Sequence, residues 1–263
     1  RGSGQKRARN PDYTWRTGGQ RLSTPHRKQK LWLFHRYQAS LLAMQRIPEA
    51  ELMDDPAQAL AYARADFSEP HNHFVALFRE RFADPRTGDW ILDLGCGPGD
   101  ICRRFARSFP HCRIHAVDAS EAMLALARAE TGAQTQQGCI DYFLAYLPDT
   151  RLPRQSYDIL ISNSLLHHLN DPATLWRSVV EYGRAGARVF IMDLLRPDNR
   201  EQAEQLVKTY ASGEANILQQ DFFNSLLAAY HPDEVRLQLQ QQGIDQLEIE
   251  VVSDRHFIVS GRL

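Results

Sequence analysis

The chain is poor in several things that would have decided its class early. Four cysteines, Cys96, Cys102, Cys112 and Cys139, are scattered over 263 residues with no C-x-x-C spacing. That pattern supports neither a disulfide framework nor a zinc site, so no metal is expected and a reducing, cytoplasmic compartment is the natural expectation. No run approaches the roughly 18 consecutive apolar residues of a membrane span. The amino-terminal region has no apolar core of the signal-peptide kind. No internal repeat is present. Net charge is also scarce, at −1 overall. A balance of 43% hydrophobic and 24% charged residues belongs to a soluble globular chain, long enough for one α/β domain with appended helices.

The small net charge conceals an asymmetry. Residues 1–43 carry ten Lys/Arg against one acid, Asp12, so the rest of the chain is acidic. A basic arm can bind nucleic acid. An acidic body, however, repels phosphates and argues against a large nucleic-acid partner. Residues 1–43 are therefore read as a basic extension, expression-derived or disordered, with Met44 resembling a natural start. The apolar run Leu31-Trp32-Leu33-Phe34 could dock such an arm over the body.

What the chain does have is a glycine-rich turn, Trp90-Ile91-Leu92-Asp93-Leu94-Gly95-Cys96-Gly97-Pro98-Gly99-Asp100. A short apolar strand enters it and a helix-forming segment leaves it. Glycine tolerates positive φ and lets a ligand approach the backbone, and the following helix presents unpaired amides. The spacing D-x-G-x-G-x-G differs from the G-x-G-x-x-G of dinucleotide-binding turns. It resembles motif I of the class I S-adenosylmethionine-dependent methyltransferases.

The resemblance extends from Trp90 to the carboxyl terminus. A second strand, Arg113–Val117, ends at Asp118, where a carboxylate can accept bonds from both ribose hydroxyls. Ala119 and a helix opened by Ser120 follow, and in the family Met123 would pack on the adenine; ordinary core packing is the other reading. At the third element the family shows Gly-Asp, whereas here Gly138-Cys139-Ile140-Asp141 puts cysteine in the acid's place. Asp141 and the backbone of Ile140 are the substitutes for holding the adenine edge. Ser156–Asn163 followed by Ser164-Leu165-Leu166-His167-His168-Leu169 is similar to a segment of small-molecule methyltransferases, including the quinone-biosynthesis group. Asn163 and Ser162 are expected to face the methionine portion of the cofactor. Adjacent histidines on a helix point about 100° apart, so at most one faces the site. His167 is taken as the catalytic candidate, with Asp193 and His71 behind it.

The resemblance implies an α/β fold: a Rossmann-like, seven-stranded, mostly parallel sheet with an antiparallel last strand and helices on both faces. Residues 44–88 are expected to form a helical lid, with Tyr62, Asp66 and Phe67 its contacts. Residues 65–73 read as a polar connection. Residues 89–263 form the S-adenosylmethionine-binding domain, with a helical cap at about 197–231 in which Tyr210, Phe222, Phe223, Asn224 and Tyr230 are candidate lining residues. The cofactor-binding set is Asp93, Gly95, Cys96, Gly97, Gly99, Asp118, Ala119, Met123, Ile140, Asp141 and Asn163. The implied function is methyl transfer to a small-molecule acceptor. Two alternatives stand beside it. One is an RNA or protein methyltransferase using the basic arm, weakened by the absence of an N-P-P-Y motif. The other is a non-catalytic cofactor-binding or assembly subunit.

Overall fold

The structure is a computed structural model that describes residues 44–49, 53–132 and 139–263. The chain divides into two units, Arg1–Ala43 and Met44–Leu263. The expectations for the basic extension and for Gly138 lie outside the described residues.

Short apolar segments flanked by turn residues form the strands, as a doubly covered sheet requires. They are β1 (Trp90–Leu94), β2 (Arg113–Asp118), β3 (Ile140–Leu144), β4 (Tyr157–Asn163), β5 (Gly183–Leu194), β6 (Glu248–Val251) and β7 (His256–Arg262). Their order is β3-β2-β1-β4-β5-β7-β6, parallel from β3 to β5, with β7 antiparallel to both its neighbours. The order reverses between β1 and β4, where an open parallel sheet makes its ligand crevice at the carboxyl ends of the strands. This is the Rossmann-like seven-stranded architecture expected from the sequence.

Eight α-helices lie among the described residues: α1 (Pro56–Arg64), α2 (Ser68–Arg81), α3 (Asp100–Ser108), α4 (Glu121–Gly132), α5 (Ala173–Tyr182), α6 (Arg200–Tyr210), α7 (Asn216–Ala228) and α8 (Pro232–Gln241). One face of the sheet is covered by an aromatic cluster in which Phe78 packs edge-on against Phe105, Phe109 and Phe190. The other face buries Trp176, Val179, Tyr182, Val235 and Leu239 of α5 and α8. A third, smaller cluster joins α6 and α7. Among the described residues no helix is long and apolar enough to cross a membrane.

Two boundaries differ from the sequence reading. Helix α2 starts at Ser68, five residues before the helix expected from His73, so His71 is helical rather than in a polar connection. Pro70 looks like a breaker, yet it sits in the first turn, where the missing N–H has no helical partner to lose. The carboxylate of Asp66 accepts the Ser68 amide at 2.9 Å and anchors that turn. Strand β5 begins at Gly183 instead of Ala187, because Tyr157 pairs with Gly183 before a register shift brings Ile159 opposite Arg188.

Candidate functional site

A cavity of about 440 Å³ opens where β1, β2 and β4 end. The glycine-rich turn after β1 forms its floor. The amides of Gly95 and Cys96 both donate to the Val117 carbonyl, at 2.8 and 2.9 Å, which ties the turn to β2. Gly97 has φ +53°, and a Cβ there would meet no atom within 4 Å. Gly99, at φ +76°, has a different duty, since a Cβ would come within 2.5 Å of the Tyr142 hydroxyl and 3.2 Å of Ala127. It permits close packing of α3 against α4 and β3, and it does not line the cavity.

Asp118 ends β2 at the cavity wall. Its Oδ2 accepts the Gly97 amide at 2.7 Å and its Oδ1 the Ser120 amide at 2.9 Å. Burial raises its pKa against the lowering effect of these amides. Ser120 caps α4 by accepting the Met123 amide at 3.1 Å, which places Ala119 and Met123 in the lining. Asp93 lies on the same wall, 1% exposed. Burial pushes its carboxyl up to about 7, even though the Cys102 thiol donates to it at 2.8 Å. Burial likewise pushes the Cys96 thiol up to about 11, so this cysteine is a packing residue rather than a nucleophile.

Asn163, at the end of β4, also lines the cavity, and its buried Oδ1 makes no hydrogen bond among the described residues. Ser162 does not face the ligand space. It is fully buried, and its hydroxyl donates to the Leu94 carbonyl at 2.7 Å, bridging β4 to β1.

The third element is displaced from the sequence reading. Ile140 and Asp141 pair with Ile114 and His115 in the body of the sheet, and only Leu144 stands level with Asp118. The segment that reaches the cavity is therefore Ala145-Tyr146-Leu147. Ile140 is buried beneath the sheet surface, and Asp141 is exposed, 3.9 Å from His115. Neither touches the cavity. On the opposite side Tyr62, Asp66 and Phe67 line it, with the Tyr62 and Phe67 ring centroids 4.8 Å apart. Burial, with Asp100 and Asp118 nearby, pushes the Tyr62 phenol up to about 12. His71 also lines the wall and contacts Asp100 at 2.6 Å. Burial would raise Asp100, but His71 and Arg104 outweigh it and hold the carboxyl well below its ordinary value. None of Tyr210, Phe222, Phe223, Asn224 and Tyr230 lines the cavity.

The two histidines divide opposite to expectation. His168 lines the cavity, whereas His167 is 2% exposed and lies behind it. The reason is a 3-10 turn at Leu166–His168, which rotates His167 toward Asp193 of β5. Their Nδ1 and Oδ1 atoms are 2.6 Å apart, and Asp193 also accepts the Leu166 amide at 2.7 Å. Burial would depress His167, but Asp193 and then Glu49 overcome it and raise the pKa. Asp193 is correspondingly lowered despite its burial, chiefly by His167. Glu49 and Arg46, which sequence reasoning did not single out, complete this corner. Arg46 donates to the carbonyls of Ala228 and His167, at 2.6 and 2.9 Å. No local signal marks either residue, because their partners lie more than a hundred positions away.

Comparison with known proteins agrees with this geometry. Residues 91–186 match the methyltransferase domain family. Trans-aconitate 2-methyltransferase of Streptomyces avermitilis is 38% identical over 120 residues, covering 46% of this chain and 43% of that protein. Malonyl-[acyl-carrier protein] O-methyltransferase of Bacillus cereus is 27% identical over 121 residues, covering 46% and 42%. The chain thus spans less than half the length of these curated relatives. Among solved structures, a SAM-dependent methyltransferase from Aquifex aeolicus superposes with a TM-score of 0.59 at 16% identity, over 79% of this chain and 98% of that one. Haemonchus contortus phosphoethanolamine N-methyltransferase 2, bound to phosphomonomethylethanolamine and S-adenosylhomocysteine, superposes with a TM-score of 0.53 at 20% identity, over 68% and 38%. With the glycine turn, the acid ending β2 and the strand order in agreement, residues 91–186 match the methyltransferase domain family within a Rossmann-like seven-stranded fold.

Proposed function

We propose that this protein transfers a methyl group from S-adenosylmethionine to a small-molecule acceptor held in the same cavity. One observation carries the reading. A turn with open space above Gly97, a carboxylate at Asp118 and an unpaired buried acceptor at Asn163 Oδ1 converge on one cavity. Those groups suit the three parts of the cofactor. Asp118 accepts the ribose hydroxyls, Asn163 Oδ1 accepts from the methionine ammonium, and Met123 with the Ala145-Tyr146-Leu147 segment flanks the adenine. Tyr62 and Phe67 of the amino-terminal helices close the opposite side as a lid.

The bound cofactor supplies an electrophilic methyl on a positively charged sulfur. The chain's contribution is to hold acceptor atom, methyl carbon and sulfur in line, a positioning effect that can remove a large part of the barrier. A carboxylate acceptor needs no base, and relatives are named for trans-aconitate and malonyl-[acyl-carrier protein]. A hydroxyl or amine acceptor needs a group to take its proton. His168 is the imidazole at the cavity wall. His167 acts behind it as a positioning residue held by Asp193.

The test is calorimetric titration of the ligand-free protein with S-adenosylmethionine and S-adenosylhomocysteine, with NADH as control. Micromolar binding of the first two and none of NADH is expected. Asp118→Ala should weaken it about tenfold or more, through lost charge-assisted hydrogen bonds. Unchanged affinity in a folded Asp118→Ala protein would remove the ribose assignment. Cofactor binding without methyl transfer to any acid, phenol or amine pool would favour the non-catalytic reading.

A further inference from the structure

Glu49, His167 and His168 bring three ligand-type atoms together beside the cavity, which His168 lines. Glu49 Oε1 lies 3.6 Å from His167 Nε2 and 3.3 Å from His168 Nδ1. All three atoms are within 4.8 Å of one another. With metal–donor bonds of about 2.0–2.1 Å, the donors of a tetrahedral site stand roughly 3.3 Å apart. The two measured edges match that spacing.

Hydrogen bonding does not account for this approach. The short contact of His167 Nδ1 with Asp193 orients the ring so that Nε2 faces Glu49. At 3.6 Å the pair is too far apart for a hydrogen bond, and Glu49 Oε1 is buried with none among the described residues. The surroundings resemble the support a bound metal requires. Asp193 orients His167 from behind, as carboxylates do for metal-binding imidazoles. The Ser225 hydroxyl donates to the other carboxylate oxygen of Glu49 at 3.3 Å.

We propose that Glu49, His167 and His168 form a binding site for a first-row divalent transition-metal ion, of which Zn²⁺ is the probe. Two imidazoles and one carboxylate suit zinc, iron or manganese rather than magnesium. Three protein ligands leave positions open, the arrangement of sites that bind a further molecule. His168 lines the cavity in which the acceptor is proposed to bind, so the cluster borders that space. An ion there would bind an acceptor oxygen. The site itself needs no cofactor, so it stands independently of the methyltransferase reading.

The experiment uses the full chain, stripped with chelator and titrated calorimetrically with Zn²⁺ alone, with Mg²⁺ in parallel. Co²⁺ uptake is followed by its visible d–d bands. One Zn²⁺ per chain is expected, with Mg²⁺ bound far more weakly and intense bands typical of low-coordinate Co²⁺. Glu49→Gln and His168→Gln should each weaken Zn²⁺ by about tenfold or more and diminish the bands. Circular dichroism and S-adenosylmethionine titration on the same samples show that the variants are folded. Glu49 lies outside the Leu166–His168 turn, so Glu49→Gln remains informative if His168→Gln does not fold. Absence of Zn²⁺ uptake, or parental affinity in both variants, would overturn the proposal. Failure of cofactor binding in the same samples would count against the methyltransferase reading alone.

Discussion

Replacing Gly97 with alanine is expected to lower S-adenosylmethionine affinity by roughly 100-fold, about 2.8 kcal/mol, in a protein that still folds. Two glycines form a matched pair. Gly97 and Gly186 both have positive φ, +53° and +77°, and an added Cβ meets nothing within 4 Å at either. Each alanine therefore carries the same kind of backbone strain, of order 1–2 kcal/mol, and neither creates a clash in the ligand-free fold. The open space differs. At Gly97 it belongs to the cavity, whereas Gly186 lies in β5 away from it. The Gly97 amide that donates to Asp118 survives the substitution, so the effect isolates the methyl group. Thermal melts should show similar small losses for Gly97→Ala and Gly186→Ala. Calorimetry should show lost cofactor binding only for the first. Equal affinities would mean the ligand does not lie over this turn.

Where the sequence was readable, the decisive signals were local. The apolar run Ile91–Leu94, the three glycines and the acid ending β2 lie within thirty residues, and each answers to a backbone rule. Strand order followed from the alternation of such units. Local sequence does not determine position where it depends on a partner strand or on distant residues. The third element looked like a loop at Asp141, but pairing with β2 makes Ile140–Leu144 the strand and moves the loop to Ala145–Leu147. Ser162 carries a polar group that faces β1 instead of a ligand. A helical reading of the adjacent histidines cannot tell which one meets the cavity, because a 3-10 turn and the bond to Asp193 decide it. Glu49 was invisible for a related reason. It meets His167 and His168 across more than a hundred intervening residues, and nothing beside it in the chain announces a site.

Cofactor affinity should also rise with pH up to about 7 and then level off, with Asp93 the cause. Burial holds this carboxyl up at about 7 in the ligand-free protein, so it is largely protonated at mildly acidic pH. The cofactor brings a sulfonium and an ammonium, and positive charge in the same cavity favours the ionised carboxylate. Binding below pH 7 must therefore release a proton, and affinity should increase by at most about tenfold per pH unit across that range. From about pH 5 to 7 the total gain is therefore bounded at about 100-fold. Above the folded-state pKa the carboxylate is already ionised and no proton is released. The sign for stability is opposite. Because the folded pKa lies above the unfolded value, Asp93 stabilises the ligand-free fold in acid, and this contribution is lost as pH rises through about 7. Asp93→Asn cannot titrate and should flatten both profiles, reducing cofactor affinity most at pH 7 and above. Calorimetry in buffers of different ionisation enthalpy will count the released proton. A pH-independent affinity in the parent protein, or an unchanged profile in Asp93→Asn, would show that Asp93 does not sense the cofactor's charge.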